Sequence, residues 1–240
     1  MRERASFVPS LSTERIQATK PARRRETIAE RSARAEQLAA RLARAYPEVE
    51  CPLVHENAFQ LLAAVILSAQ CTDVAVNKVT PELFRRFPTP LALSRAALTE
   101  IESIIRTLGL FRAKAKSLKR CAEQLVQEFG GVVPSTMEDL TRLAGVGRKT
   151  ANVMLGHAFD TPGIAVDTHC RRLANRLGLT RQQDPVKIEK DLARMLPPAE
   201  WTGFSHRLIL HGRRVCNARK PACARCELAS LCPSSSARPE

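Results

Sequence analysis

Apolar positions recur at helical spacing along most of the chain, and no stretch shows the two-residue alternation of a strand. In residues 28–45, Ile28, Leu38 and Leu42 stand among alanines with arginines between, which predicts an amphipathic helix ended by Tyr46-Pro47. Phe59 to Ser68 is nearly all apolar, the pattern of a helix at the centre of a bundle. A polar break follows, Ser68-Ala69-Gln70-Cys71-Thr72-Asp73, in which Thr72 or Asp73 can cap a helix over 74–84. Beyond the Pro88-Thr89-Pro90 turn, helices are expected over 91–97 and 99–107. Leu108-Gly109-Leu110-Phe111 interrupts the pattern at a glycine. A long helix over 112–129, basic at its start, is closed by Gly130-Gly131 and Pro134. Further helices are predicted over 168–178, 185–196 and 199–211, so the fold class is all-α.

The centre of the chain carries the chemistry. Met137, Leu140, Leu143 and Ala144 form one apolar face, and Ala151, Val153, Met154, Leu155 and Ala158 form another. Gly145-Val146-Gly147 joins them as a tight hairpin, with Arg148, Lys149 and Thr150 opening the second helix. Glycine permits a φ > 0 turn and lets a foreign backbone approach. The first amides of a helix suit an anion such as phosphate. Lys149 lies in that first turn, where the positive end of the helix dipole disfavours its ammonium form. A partly desolvated, neutral lysine is a nucleophile able to form a Schiff base. Asp167, in Val166-Asp167-Thr168-His169, precedes another apolar-periodic helix and is an N-cap candidate. Brought beside the lysine, its carboxylate would stabilise a cationic sugar or move a proton. On these residues alone, a tight helix–helix turn with a solvated lysine and a structural cap is an equal alternative.

Composition sets the partner. The 240 residues carry a net charge of +14 and only 4% aromatic residues. Such a surplus points to a polyanion, nucleic acid before an anionic membrane. The longest apolar block, Leu61 to Leu67, is too short to span a bilayer, and no secretory signal is apparent. A reducing cytoplasm is therefore expected, where clustered cysteines mean metal before disulfide. Residues 1–27 hold Arg2, Arg4, Arg15, Lys20 and Arg23 to Arg25, broken by Pro9 and Pro21, and are read as a basic, largely disordered extension.

Four of the eight cysteines fall at Cys216-x6-Cys223-x2-Cys226-x5-Cys232. Tetrahedral zinc and an iron–sulfur cluster both fit those ligands. Arg219 and Lys220, between the first two, make a basic loop suited to phosphate contacts. Cys51, Cys71, Cys121 and Cys170 are read as buried fillers or idle thiols, and His206 and His211 as structural or phosphate-facing.

Taken together, LAGVGRKTANVML, VDTHC, ILHGRRVC and the cysteine spacing, with LSAQCTD and LGLFRAKA upstream, resemble the bacterial endonuclease III family of helix-hairpin-helix DNA glycosylases over roughly residues 30–233. The resemblance implies a two-lobed fold, with a helical bundle over 52–160 and an iron–sulfur domain built from 28–51 plus 161–240. It implies a monomeric base excision repair enzyme that removes oxidised or ring-saturated pyrimidines from duplex DNA and cuts the abasic strand. In that likeness Lys149 is the nucleophile and Asp167 its catalytic aspartate. Gly145, Val146, Gly147 and Arg148 belong to the phosphate-binding hairpin. Gln70 fills the gap left by the extruded base, and Leu110 lies in the loop inserted on the opposite-strand side. His169 stands beside the aspartate with its role open. Cys216, Cys223, Cys226 and Cys232 would hold a [4Fe-4S] cluster. A mismatch-directed adenine glycosylase of the same fold and a non-catalytic DNA-binding module are the rivals; Lys149, and a sequence that stops soon after the cysteine cluster, argue against the first, and the Lys149–Asp167 pair against the second.

Overall fold

Two separate apolar clusters organise the molecule, which we describe from a computed structural model covering residues 26–48 and 51–237. The helices are α1 (Ile28–Ala45), α2 (Ala58–Ser68), α3 (Asp73–Arg86), α4 (Pro90–Arg95), α5 (Leu98–Ile104), α6 (Phe111–Phe129), α7 (Met137–Arg142), α8 (Arg148–Ala158), α9 (Thr168–Arg176), α10 (Pro185–Ala193) and α11 (Trp201–Arg214). Short 3₁₀ turns at Pro198–Glu200, Cys223–Arg225 and Ala229–Leu231 complete the order, with no strand among the described residues. The basic lead-in through residue 25 lies outside the described residues; Glu26 and Thr27 lie inside them.

The first cluster centres on α2. Its residues from Phe59 to Leu67 are all buried, because α3, α6 and α8 pack around it and leave no solvent face. Asn57 caps its start by accepting from the Gln60 amide at 3.0 Å. Thr72 caps α3 by accepting from the Ala75 amide at 3.2 Å, so Asp73 is already the first helical residue. At the other end of α3, Phe87 is the C-cap; the helix therefore runs two residues past the predicted Phe84.

The second cluster joins sequence ends. Ala35, Leu38 and Leu42 of α1 pack with Cys170, Leu173, Ala174, Ile188, Phe204 and Leu208. Thr27 and Glu30 close a capping box at the start of α1, with the Glu30 amide donating to Thr27 Oγ1 at 3.2 Å. Arg34 then ties α1 to the C-terminal segments. Its guanidinium donates to Glu26 at 2.7 Å, to the Leu177 carbonyl and, at 3.4 Å, to that of Leu231. Predicted helices ending at 178 and 196 stop instead at Arg176 and Ala193, where the chain turns through Leu177-Gly178 (φ +67° at the glycine) and Arg194.

Candidate active site and DNA-facing surface

Between the two clusters lies a cavity of ≈ 230 Å³. One wall is Gln70, Lys149, Thr150 and Val153; the other includes Asp167, Ser205, His206 and Arg213. The hairpin that delivers Lys149 is fixed by packing. Gly145 adopts φ +81°, and a Cβ there would meet Ser117 Cβ at 3.0 Å and Ile66 Cγ2 at 3.2 Å. Val146 is 6% exposed, and its amide donates to the Leu143 carbonyl at 3.1 Å. Val146 is thus the anchor of the turn, and its amide is already used. Gly147 caps α8 with no side chain to satisfy the first amides, and nothing lies near the position of a Cβ there. The amides of the first turn are left for an external acceptor.

Lys149 is exposed in the structure, against the desolvated lysine expected from sequence. It lines the cavity from the first turn of α8. Asp167 is half-buried and caps α9, with Oδ1 accepting from the Cys170 amide at 2.8 Å. Among the described residues no protein donor reaches its Oδ2. Cys170 lies beneath both; burial pushes its thiol far up, with the charge of Asp167 adding to this and that of Lys149 opposing it. The thiol is fully buried and outside the cavity lining, whereas Lys149 and Asp167 both line the cavity.

Two DNA-facing candidates have strained backbones. Gln70 has φ +55° and Leu110 has φ +59°, and among the described residues Asp160, at +48°, is the third non-glycine residue of this kind. The left-handed region costs an ordinary L-residue about 1–2 kcal/mol. Both side chains are exposed, Leu110 at 62%, so neither is recovered by core packing. Such strain persists where the surroundings over-determine it and is common at functional tips. The sequence shows no sign of it, since neither residue is glycine or asparagine.

Arg148 is engaged within the protein itself. Its guanidinium donates to both oxygens of Glu189 on α10, at 2.7 and 2.8 Å. Asn152, one turn on, donates to Glu189 at 3.2 Å and to the Ile164 carbonyl at 3.0 Å. His169 sits against Arg172, Nδ1 to guanidinium 3.2 Å. Gly212 passes so close that a Cβ there would lie 3.0 Å from His169 Cβ.

The cavity also holds residues whose part in it was not legible. His206 and His157 meet edge to face with ring centroids 5.4 Å apart. Burial holds His206 down at about 4, with the charge of His157 second, and His206 Nδ1 is buried with no hydrogen-bond partner among the described residues. Arg213 bridges to Asp73 at 2.9 Å across the cleft. Cys121 and Cys170 are buried fillers, whereas Cys51, which lines this cavity, and Cys71 are only partly buried against the first cluster. His211 is structural, buried between Tyr46 Oη at 3.0 Å and Cys226 Sγ at 3.3 Å.

Cys216, Cys223, Cys226 and Cys232 line a second cavity, of ≈ 190 Å³, walled by Leu173, Leu177, Val215 and Leu228. Among the described residues no three potential ligands converge tightly enough for a single metal ion. Four thiols set around an apolar room fit a multi-atom cluster better than one tetrahedral ion. Burial, with Cys216 as a charged neighbour, pushes the Cys226 and Cys232 thiols up, a cost that metal ligation of the thiolates would remove. The frame around the room is already tied. Arg176 donates to Cys216 Sγ at 3.3 Å, to the Asn217 carbonyl at 2.7 Å and to the Ala218 carbonyl at 2.6 Å. Arg219 and Lys220 project from the same loop into solvent.

Among the described residues, no helix is long and apolar enough to cross a membrane. Residues 63–198 match the HhH-GPD superfamily base excision DNA repair protein family. Endonuclease III of Synechocystis sp. is 50% identical over 211 residues, covering 88% of this chain and 96% of the relative. That of Escherichia coli is 40% identical over 186 residues, covering 78% and 88%. A solved structure of a trapped endonuclease III–DNA covalent intermediate superposes with a TM-score of 0.81 at 42% identity, covering 85% of this chain and 96% of that one. A thermostable thymine-DNA glycosylase, 20% identical with a TM-score of 0.77, shares the fold. The chain belongs to the endonuclease III family of the HhH-GPD superfamily.

Proposed function

We propose that this protein excises oxidised or ring-saturated pyrimidines from duplex DNA and then cuts the abasic strand by β-elimination. The observation that carries this is the opening of Lys149 and Asp167 into one cavity between the lobes. Extruding a nucleotide costs a few kcal/mol, least for a damaged base. In this reading the exposed tips of Gln70 and Leu110 occupy the space it leaves. The open amides of the first turn of α8 hold a phosphate, which fixes the sugar over Lys149.

Asp167, whose Oδ2 is open, stabilises the developing sugar cation while ionised, and then takes the proton that the Lys149 amine sheds on attacking C1′. Nζ attacks C1′, and the C1′–N bond breaks with its electron pair leaving on the base. The sugar ring opens to an iminium linking Nζ to C1′. Loss of a C2′ proton then expels the 3′ phosphate, and water hydrolyses the imine to restore the lysine. No step needs an external oxidant or reductant.

Cys216, Cys223, Cys226 and Cys232 would hold a [4Fe-4S] cluster. When bound, it replaces thiol burial by ligation and fastens the Arg219–Lys220 loop. Those two side chains then meet phosphate from a fixed platform. The test is end-group analysis on a duplex carrying one thymine glycol. Free base together with a 3′ unsaturated aldehyde supports the reading. Base release with the strand intact shows a glycosylase using water instead.

A further inference from the structure

Lys114 is a charged side chain in the wrong place for one. It lies on α6 and is 5% exposed, yet it forms no ion pair with any described carboxylate. Its amine has one side-chain partner among the described residues, Cys71 Sγ at 2.8 Å. A buried amine is ordinarily matched by a carboxylate or several carbonyls. Lys119, five residues on, shows that pattern, donating to the Ser94 and Ala96 carbonyls at 2.8 and 2.7 Å. The half-exposed thiol of Cys71 gives small oxidants a route to the pair.

The position of the pair gives it a consequence. Cys71 directly follows Gln70, and its amide closes that turn on the Ser68 carbonyl at 3.0 Å. The Lys114 amide donates to the Leu110 carbonyl at 3.1 Å. The thiol and the amine therefore join the roots of the two loops whose tips are held at φ +55° and +59°. Forty-three residues of chain separate the partners, so nothing local in the sequence marks them.

We propose that Cys71 and Lys114 are a modification site, at which hydrogen peroxide forms a reversible sulfur–nitrogen crosslink between the two loops. Peroxide first oxidises the thiol: one S–H and one O–O bond break, an S–O bond forms, and water leaves, giving a sulfenic acid. The Lys114 amine, in its neutral form, attacks that sulfur. The S–O bond breaks, the hydroxyl leaves with the amine proton as water, and a sulfenamide remains. An exogenous thiol reverses it by attacking sulfur and returning the amine. The effect on activity rests on the assignment of Gln70 and Leu110 as the residues that open the duplex; formation of the bond does not.

The holo-protein is treated with peroxide, quenched, digested and mapped by mass spectrometry, with Cys71→Ala alongside. We expect a peptide pair joining positions 71 and 114, lighter than its parts by two hydrogens, reversed by dithiothreitol and absent from the variant. Recovery of Cys71 as sulfinic acid or as a free thiol, with the Lys114 peptide unmodified, overturns the proposal. Cleavage is then compared on a duplex lesion and on a single-stranded abasic oligonucleotide, normalised to the identically treated variant. The crosslink should slow duplex cleavage several-fold and spare the single strand. If the bond forms and both activities fall together, the site stands and the assignment of Gln70 and Leu110 fails.

Discussion

Glu189 receives both arms of the Arg148 guanidinium, the residue immediately before Lys149, across the cleft between the lobes. It also accepts from Asn152, which holds the Ile164 carbonyl three residues before Asp167. One carboxylate on α10 thus references the start of α8 to the segment that carries the aspartate. Glu189→Gln weakens a pair whose arginine is substantially exposed, so stability should fall by under about 1 kcal/mol. Small displacements of reacting groups cost far more in rate. Schiff-base formation should slow roughly tenfold with KM unchanged. A raised KM with normal kcat would assign the pair to DNA binding.

Gly163 lies against the same asparagine. A Cβ there would stand 2.8 Å from Asn152 Oδ1 and 3.0 Å from its backbone oxygen. The backbone oxygen cannot rotate away, so Gly163→Ala should cost about 1–3 kcal/mol. Because the segment leads to Asp167, catalysis should fall even at temperatures where the variant is fully folded. Calorimetry with single-turnover kinetics checks both.

Leu110 combines a left-handed backbone with an exposed apolar side chain. Asparagine tolerates that region better. Leu110→Asn should leave the melting temperature unchanged or raise it, by up to about 1 kcal/mol in stability. Cleavage of a duplex lesion should drop while cleavage of a single-stranded abasic site does not. A fall in both would mean that the loop shapes the catalytic cavity.

His206 stays neutral when folded down to about pH 4, whereas an unfolded histidine takes a proton near 6.5. The folded pKa is depressed, so stability is full above 6.5 and declines as pH drops toward 4. Burial lowers His157 in the same direction. Urea midpoints should fall across that window, and His206→Gln should flatten the fall. An equal slope in the variant would place the loss elsewhere.

Arg219 and Lys220 stand exposed on the cysteine-tied loop. Replacing each with alanine should weaken binding to damaged and undamaged duplex alike and reduce the salt slope by about 1. Cys223→Ser, which removes one ligand of the proposed cluster, should do the same while also loosening the C-terminal lobe, detected by circular dichroism. Native binding by such a protein would separate the loop from its metal.

What could be read from sequence was what local pattern encodes. Asp167 as a cap, Thr72 as a cap and Gly145 at positive φ follow from residue type and immediate neighbours. So does the all-apolar α2 at the centre of a cluster. The rest depends on distant partners. Arg148 reads as a free cation until Glu189 arrives from 41 positions away. His206 reads as either structural or phosphate-facing until α11 brings it against His157. The left-handed backbone at Gln70 and Leu110 falls at helix junctions, and neither residue type announces it.

The central claim is that Lys149 is the covalent nucleophile. Borohydride trapping on a duplex with one oxidised pyrimidine, comparing wild type with Lys149→Ala, tests it most directly. A stable protein–DNA adduct in wild type alone is the predicted result. An adduct that persists in the variant, or base release in wild type with no adduct, would contradict the account.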